Sequence, residues 1–234
     1  MDDCRKSIVF VCNVDYFFIS HRLPLAIHGI AKGYDVIVMT KDTGRREEIE
    51  TIGAKFIDIP FERSGINPIH ELKCVYLLIK YIKLVNPTII HNITLKSSLL
   101  GSIAAKLAGY KNVINAISGF GYNFIDDRNG MLQRIIRFLI KVSYKSKTFH
   151  FILQNPDDLN TIQNMQLVPR LNTHLIKGSG IDLNKFGYKS ISLPKDKLRF
   201  LFPARLLYDK GIVELINAAN LLKWRPAMHH PDAL

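Results

Sequence analysis

The feature that most narrows the fold is an alternation of two patterns along the chain. Short apolar runs, too short for stable helices, recur between longer segments of helical periodicity. Ile8–Cys12 is the first of these runs, and its lack of polar interruption predicts a strand covered on both faces. Val36–Met39, Lys55–Ile59, Thr88–His91, Val113–Ile117, Phe149–Leu153 and His174–Ile176 repeat the signal. Strand and helix in regular succession predict an α/β fold, with a doubly wound parallel sheet under helices on both faces.

The intervening segments carry the usual helix punctuation. His21–Lys32 reads as a helix capped by Ser20 and stopped at Gly33, which places Pro24 in its first turn. Arg45–Ile52 is a short helix, and Ile69–Val85 is a long one ended by Asn86-Pro87. Ser97–Ala108 is rich in small residues and ends at Gly109. Met131–Lys147 is basic and amphipathic. Asn155 caps a helix whose first turn holds Asp157 and Asp158, as the helix dipole favours. Residues 1–186 therefore read as one Rossmann-like domain and 187–197 as a linker. Residues 198–223 read as the opening of a second Rossmann-like domain: a strand, Phe200–Ala204, then a helix bearing Ile212, Leu215, Ile216, Ala219 and Leu222. One strand and one helix cannot bury a core. Residues 224–234 carry no periodicity and read as an aberrant tail, the mark of a truncated or frame-disrupted gene or of a natural disordered end.

Charge bears on partners. The 234 residues carry a formal charge of +12, which favours anionic ligands such as phosphorylated molecules, anionic lipid or nucleic acid. Cys4, Cys12 and Cys74 are odd in number and lack metal-like spacing, so a reduced, cytoplasmic setting is expected. No apolar run is long enough to span a bilayer; Lys80 and Lys83 interrupt the best candidate. Neither a Gly-x-Gly-x-x-Gly after the first strand nor a Gly-Lys-Ser/Thr phosphate loop occurs, which removes the main support for dinucleotide oxidoreduction and nucleotide hydrolysis.

Two motifs carry chemistry. Arg205 and Lys210-Gly211 occupy the turn between the strand Phe200–Ala204 and the helix after it. Cations beside a helix amino end suit a phosphate, although a solvated basic turn has the same spacing. Upstream lies Gly178-Ser179-Gly180-Ile181-Asp182-x3-Phe186, with glycines that permit close backbone approach to a ligand. Together the two motifs resemble the middle of a family 4 glycosyltransferase of GT-B fold, over roughly Ser7 to Lys223. The resemblance implies glycosyl transfer from a nucleotide-sugar donor, with retention of anomeric configuration. It implies that Arg205 and Lys210 hold the donor diphosphate as catalytic cations, and that Gly178 and Gly180 close the first domain at the cleft. No metal or other cofactor is expected, since two side chains supply the charge that the leaving diphosphate needs.

Gly119-Phe120-Gly121-Tyr122 follows the fifth strand, where many relatives carry His-Gly-Phe. Ser118 replaces that histidine, and the form is closer to relatives acting on lipid-linked sugars. Ser118 and Gly119 are thus cleft candidates, and the expected acceptor is a polyprenyl-diphosphate-linked saccharide of bacterial surface-polysaccharide assembly, lipopolysaccharide among them. His21 and Arg22 at a helix start, and His91 and Lys96 around the next strand end, are acceptor-side candidates. On Met131–Lys147, Arg134, Arg137, Lys141 and Lys145 form one stripe and Ile135, Phe138, Leu139 and Val142 another. The apolar stripe is expected on the sheet, and the basic one on an anionic membrane at the inner face of the plasma membrane. Two other readings stay open: an inactive remnant or binding module, because the family's second-domain Glu-x7-Glu motif is absent, and a basic nucleic-acid-binding protein. The aromatics sit mostly in apolar runs, so no nucleic-acid partner is expected.

Overall fold

The computed structural model describes residues 6–62, 67–119, 131–190, 199–204, 206 and 208–221. Seven strands form one wholly parallel sheet: β1 (Ser7–Cys12), β2 (Asp35–Thr40), β3 (Lys55–Asp58), β4 (Ile89–Ile93), β5 (Val113–Ile117), β6 (His150–Leu153) and β7 (Thr173–Leu175). Their order is β3-β2-β1-β4-β5-β6-β7. The chain thus winds one way from β1 to β3, then crosses back to β4 and continues the other way. Helices α1 (Asp15–Ala31) and α2 (Arg46–Thr51) pack on one face through Phe10, Phe18, Ala26, Val36, Val38 and Ile49. Helices α3 (Pro68–Val85), α4 (Leu95–Ala108), α5 (Met131–Tyr144) and α6 (Pro156–Asn164) pack on the other, through Cys74, Leu78, Ala105, Tyr144 and Ile162 against Val9, Ile90, Val113 and Phe151. Each such Phe, Val, Leu or Ile side chain, fully buried, contributes about 1.5–3 kcal/mol.

Local chemistry explains most element ends. The Asn67 side chain accepts hydrogen bonds from the amides of Ile69 and His70, with Pro68 at the first helical position of α3; Asn86 ends that helix at φ 48°. Asn155 caps α6 as expected, accepting from the Asp158 amide at 2.8 Å. Lys106 donates from α4 to the carbonyls of Val142 and Lys145, at 2.6 and 2.7 Å, and so caps the carboxyl end of α5 with a cation.

Four expectations are corrected. First, α1 starts at Asp15 rather than at His21. Ser20 is inside the helix and bonds back to the carbonyl of Tyr16 at 2.8 Å, so Pro24 sits in the interior. Second, β4 runs on to Ile93, so His91 lies in mid-strand and is buried rather than at a strand end. Third, α5 turns Ile140, Ser143 and Tyr144 to the core, while Phe138, Leu139 and Val142 are 64, 39 and 47% exposed. Ile140, Ser143 and Tyr144 also fall at helical spacing, and the sheet takes that third set, which carries the bulky Tyr144. Fourth, Phe200–Ala204 forms no strand, and Phe200 is 69% exposed. A strand needs a neighbour to pair with, and none occurs among the described residues nearby.

The chain divides into two units, Met1–Ile181 and Asp182–Leu234. The described part of the second holds a single 3-10 turn at Tyr208–Lys210 and α7 (Ile212–Leu221), which buries no residue. The aberrant tail and most of the expected linker lie outside the described residues.

Packing between α4 and β4 is tight. A Cβ on Gly101 would stand 2.1 Å from Oδ1 of Asn92, a fully buried side chain that also donates to Asn115 at 2.8 Å. Gly101→Ala is expected to destabilise the fold by about 1–3 kcal/mol, read as a lowered urea midpoint.

Candidate functional site

The winding direction reverses between β1 and β4, so the loops after those strands diverge and leave a crevice at the carboxyl edge of the sheet. On the β1 side the chain turns through Asn13 into α1. On the β4 side Thr94 carries φ 75°, an unfavourable value for a β-branched residue. Its hydroxyl lies 3.1 Å from Ser97 Oγ and donates to Asn13 Oδ1 at 3.4 Å, joining the two walls.

Asp15 anchors the first wall. This fully buried carboxylate accepts hydrogen bonds from the amides of Tyr16 and Thr43, both at 2.6 Å, from the Arg45 amide at 3.3 Å and from the Thr43 hydroxyl. Burial pushes its pKa up, but the bonds from Thr43, Tyr16 and Arg45 outweigh burial and hold it below the usual carboxylate range. The carboxylate thereby ties the β2–α2 loop to the start of α1.

About two turns along α1, Arg22 reaches the loop that follows β7. Its guanidinium donates to Ser179 Oγ at 2.7 Å and to the His21 carbonyl at 3.0 Å. Ser179 stands between Gly178 and Gly180, whose φ values of 74° and 77° suit glycine and let the loop after β7 turn back toward α1. Three sequence candidates, Arg22, Gly178 and Gly180, are thus brought together. Cys12 and His91, both buried, lie within reach of the Arg22 charge. Burial raises the Cys12 thiol to about 11, against opposing hydrogen bonds to the Val14 and Asn13 backbone and the Arg22 charge. Burial lowers the His91 imidazole to about 3, and Arg22 adds to the effect. Both groups are therefore neutral near pH 7, and Arg22 is the formal charge among the three. The Nε2 of His91 has no partner.

The other candidates lie apart from this cluster. His21 folds back on its own helix, with Nδ1 2.7 Å from Ser20 Oγ and its ring stacked on Phe17 at 4.1 Å. Lys96 points to the α3 side, where it pairs with Glu71 and donates to the Glu62 carbonyl at 2.7 Å. Ser118 is exposed at the end of β5. A Cβ on the adjoining Gly119 would lie 3.9 Å from Oδ2 of Asp158, in the first turn of α6. The rest of that loop, residues 120–130, is outside the described residues, as are Arg205 and the Arg137 side chain. Lys210 is exposed in the second unit and closes the turn before α7. Arg134, Lys141 and Lys145 are exposed. Sequence reasoning passed over Asp15, Thr94 and Ser179; an acid immediately after the loop of the first strand was the available signal for Asp15.

This sheet order, with its crevice at the reversal point and a glycine-flanked loop beside it, defines a Rossmann-like domain of GT-B type. A family model described as glycosyl transferase 4-like matches residues 7–155, and the chain belongs to that family. It is 23% identical over 198 residues to the Escherichia coli UDP-Gal:alpha-D-GlcNAc-diphosphoundecaprenol alpha-1,3-galactosyltransferase, a match covering 81% of this chain and 50% of that protein. The chain spans about half the length of the curated relatives it matches. A Rickettsia africae glycosyltransferase structure superposes with TM-score 0.53 at 15% identity, over 96% of this chain and 51% of that one. The UDP-GlcNAc 2-epimerase of Neisseria meningitidis bound to UDP-GlcNAc gives 0.53 at 13% identity, over 74% and 47%. At these identities the two structures share the fold alone with this chain.

The buried groups make stability depend on pH in separate windows. Unfolded His91 takes up a proton below about pH 6.5, whereas the folded residue resists until about 3, so the unfolded state binds more protons between those values. Stability is then full above about pH 6.5 and falls as pH drops toward 3. Asp15, with a depressed folded pKa, adds a further loss only below about pH 4. Urea titrations at pH 4–8 should show this decline in the parent and a flatter profile in His91→Gln.

Proposed function

We propose that the chain is the acceptor-side half of a retaining glycosyltransferase. It moves a sugar from a nucleotide-activated donor to a polyprenyl-diphosphate-linked saccharide in bacterial surface-polysaccharide synthesis, at the cytoplasmic face of the membrane. The carrying observation is Arg22, a cation fixed by Ser179 at the mouth of the crevice, above groups kept neutral by burial. A fixed cation at a partly dry site favours a phosphate-bearing ligand more strongly than one in open water. Family membership and the Escherichia coli relative's named reaction on a diphosphoundecaprenol-linked sugar support the same class of acceptor.

The geometry of the first unit and the family resemblance support these roles. Arg22 receives the acceptor diphosphate, with His21 close by on the same helix turn. Ser118 and Gly119 border the sugar at the end of β5. Lys96, already paired with Glu71, holds the α3–α4 wall rather than a ligand. Arg205 and Lys210 stabilise the charge that develops on the leaving nucleotide diphosphate, the task a metal ion performs in other transferases. The anomeric carbon's bond to the donor phosphate oxygen breaks as the acceptor hydroxyl bonds to the same carbon from the same face, and the hydroxyl proton passes to the departing phosphate oxygen. The basic residues of α5 face the anionic bilayer in which the acceptor is anchored.

Binding of a short-chain, water-soluble polyprenyl-diphosphate N-acetylglucosamine analogue, followed by calorimetry, tests the acceptor role. Arg22→Ala should weaken it about 10–100-fold, the scale of one lost charged hydrogen bond, while leaving the unfolding midpoint nearly unchanged. Lys96→Ala should do the reverse. Equal affinities for parent and Arg22→Ala would remove Arg22 from the site. In a transferase assay with UDP- and GDP-sugars, on a full-length protein carrying both units, Arg205→Ala or Lys210→Ala should slow turnover by roughly 10²–10³-fold. Near-parental rates in both variants would refute the diphosphate role.

A further inference from the structure

The last two strands of the sheet hold a pair of histidines that takes no part in the crevice. The register aligns Phe10, His91, Ile114 and His150 across β1, β4, β5 and β6, and aligns Ile152 with His174 across β6 and β7. Side chains at paired positions, and at alternate positions along one strand, share a face. His150 and His174 therefore stand on the face to which Phe10 belongs, and both are exposed. Their rings are nearly parallel, at 9°, with centroids 5.6 Å apart. Nδ1 of His150 lies 3.3 Å from Nε2 of His174.

That separation has a chemical meaning. Two imidazole nitrogens bound to one tetrahedral zinc ion, each at about 2.0–2.1 Å, stand about 3.3–3.4 Å from one another. The rings are thus already spaced as a chelating pair. A proton shared between the two nitrogens gives the same distance, but at an exposed site such a bond competes with water and holds little. Imidazole suits zinc, copper and nickel, whereas magnesium and calcium take oxygen ligands. Among the described residues no group of three or more His, Cys, Asp or Glu gathers to hold a metal, so the protein supplies two ligands and water the rest. With the metal bound, each neutral ring keeps its proton on the outer nitrogen, Nε2 of His150 and Nδ1 of His174.

We propose that His150 and His174 form a two-histidine site for a divalent transition metal of the zinc class, and that the metal clips β7 to β6. β7 has three residues and ends the sheet, so its ladder is short and a bond across the pair adds to it. Gly178 follows four residues after His174, and the loop it opens carries Ser179, which accepts the Arg22 hydrogen bond. The clip steadies the strand from which that loop departs. The site stands apart from the proposed acceptor contacts and does not depend on that reading.

Zinc chloride titrated into the full chain and followed by calorimetry tests the site, with magnesium chloride as reference. The parent should bind one zinc ion and no magnesium. Loss of an outer-shell partner alone weakens a metal site about 10–100-fold, so His150→Gln and His174→Gln, each removing a ligand, should weaken zinc at least about tenfold. Both side chains are exposed, so without metal the variants should keep the parent's urea midpoint. Zinc should raise that midpoint in the parent and not in the variants. It should also slow hydrogen exchange of the amides of residues 173–181 in the parent alone. His229 and His230 are adjacent in sequence and could capture zinc by themselves; His229→Gln with His230→Gln should leave the titration unchanged. No zinc binding by the parent overturns the proposal and leaves the histidine contact a hydrogen bond only. Unchanged affinity in both single variants overturns it as well, as does loss of binding in the His229/His230 variant. Zinc bound through His150 and His174 without slower exchange at 173–181 overturns the clip. A zinc-linked dimer in sedimentation overturns the water-completed site, by showing that a second copy supplies the remaining ligands.

Discussion

Everything in the first unit depends on β1 being paired on both sides by parallel strands. A parallel neighbour cannot be reached by a tight turn, so every connection must travel back along a face of the sheet, usually as a helix. The right-handedness of those crossovers then dictates the faces: strands added to one side of β1 place α1 and α2 on one face, and strands added to the other side place α3 to α6 opposite. The crevice between the β1 and β4 loops follows from that single reversal.

What holds the crevice in shape is polar chemistry rather than core packing. The Asp15 carboxylate gathers amides from the β2–α2 loop and the start of α1, the Thr94 hydroxyl meets Asn13, and Lys96 joins α4 to Glu71 of α3. Such bonds at a crevice edge are individually modest, about 1 kcal/mol net, but they are directional. They fix where Arg22 stands relative to the glycine-flanked loop after β7, while the apolar layers below fix only that the helices lie on the sheet.

The sheet was legible because buried parallel strands must be continuous apolar runs, and Ile8–Cys12 and Val113–Ile117 have no other good reading. The start of α1 was not. Ser20 is a good cap by composition, but the buried Asp15 five residues earlier recruits the Thr43 loop, a tertiary gain that local preference does not register. On α5 the apolar stripe Ile135, Phe138, Leu139 and Val142 was expected on the sheet, but Ile140 and Tyr144, at the same helical spacing, are the residues buried there. The site was legible in its parts and not in its assembly. Arg22 and the glycine pair were each recognisable, yet Ser179 lies 157 residues from Arg22, and no local pattern encodes their contact. Phe200–Ala204 shows the opposite failure: the pattern is that of a strand, but strand formation is a property of pairs.

Pro24 gives α1 a mechanical character that its length conceals. With no amide hydrogen on Pro24, the Ser20 carbonyl loses the donor that would extend the ladder, and the ring crowds it as well. Beyond the break, Ala26 and Gly29 are clamped against the sheet, with Val36 only 3.4 Å from where a Cβ on Gly29 would stand. Before it, Asp15 and Phe18 are held just as firmly. Arg22 therefore rides on the most compliant turn of an otherwise rigid rod. Small rotations of its side chain about the Ser179 contact cost less there than on an unbroken helix, and they leave the clamped segments on either side undisturbed.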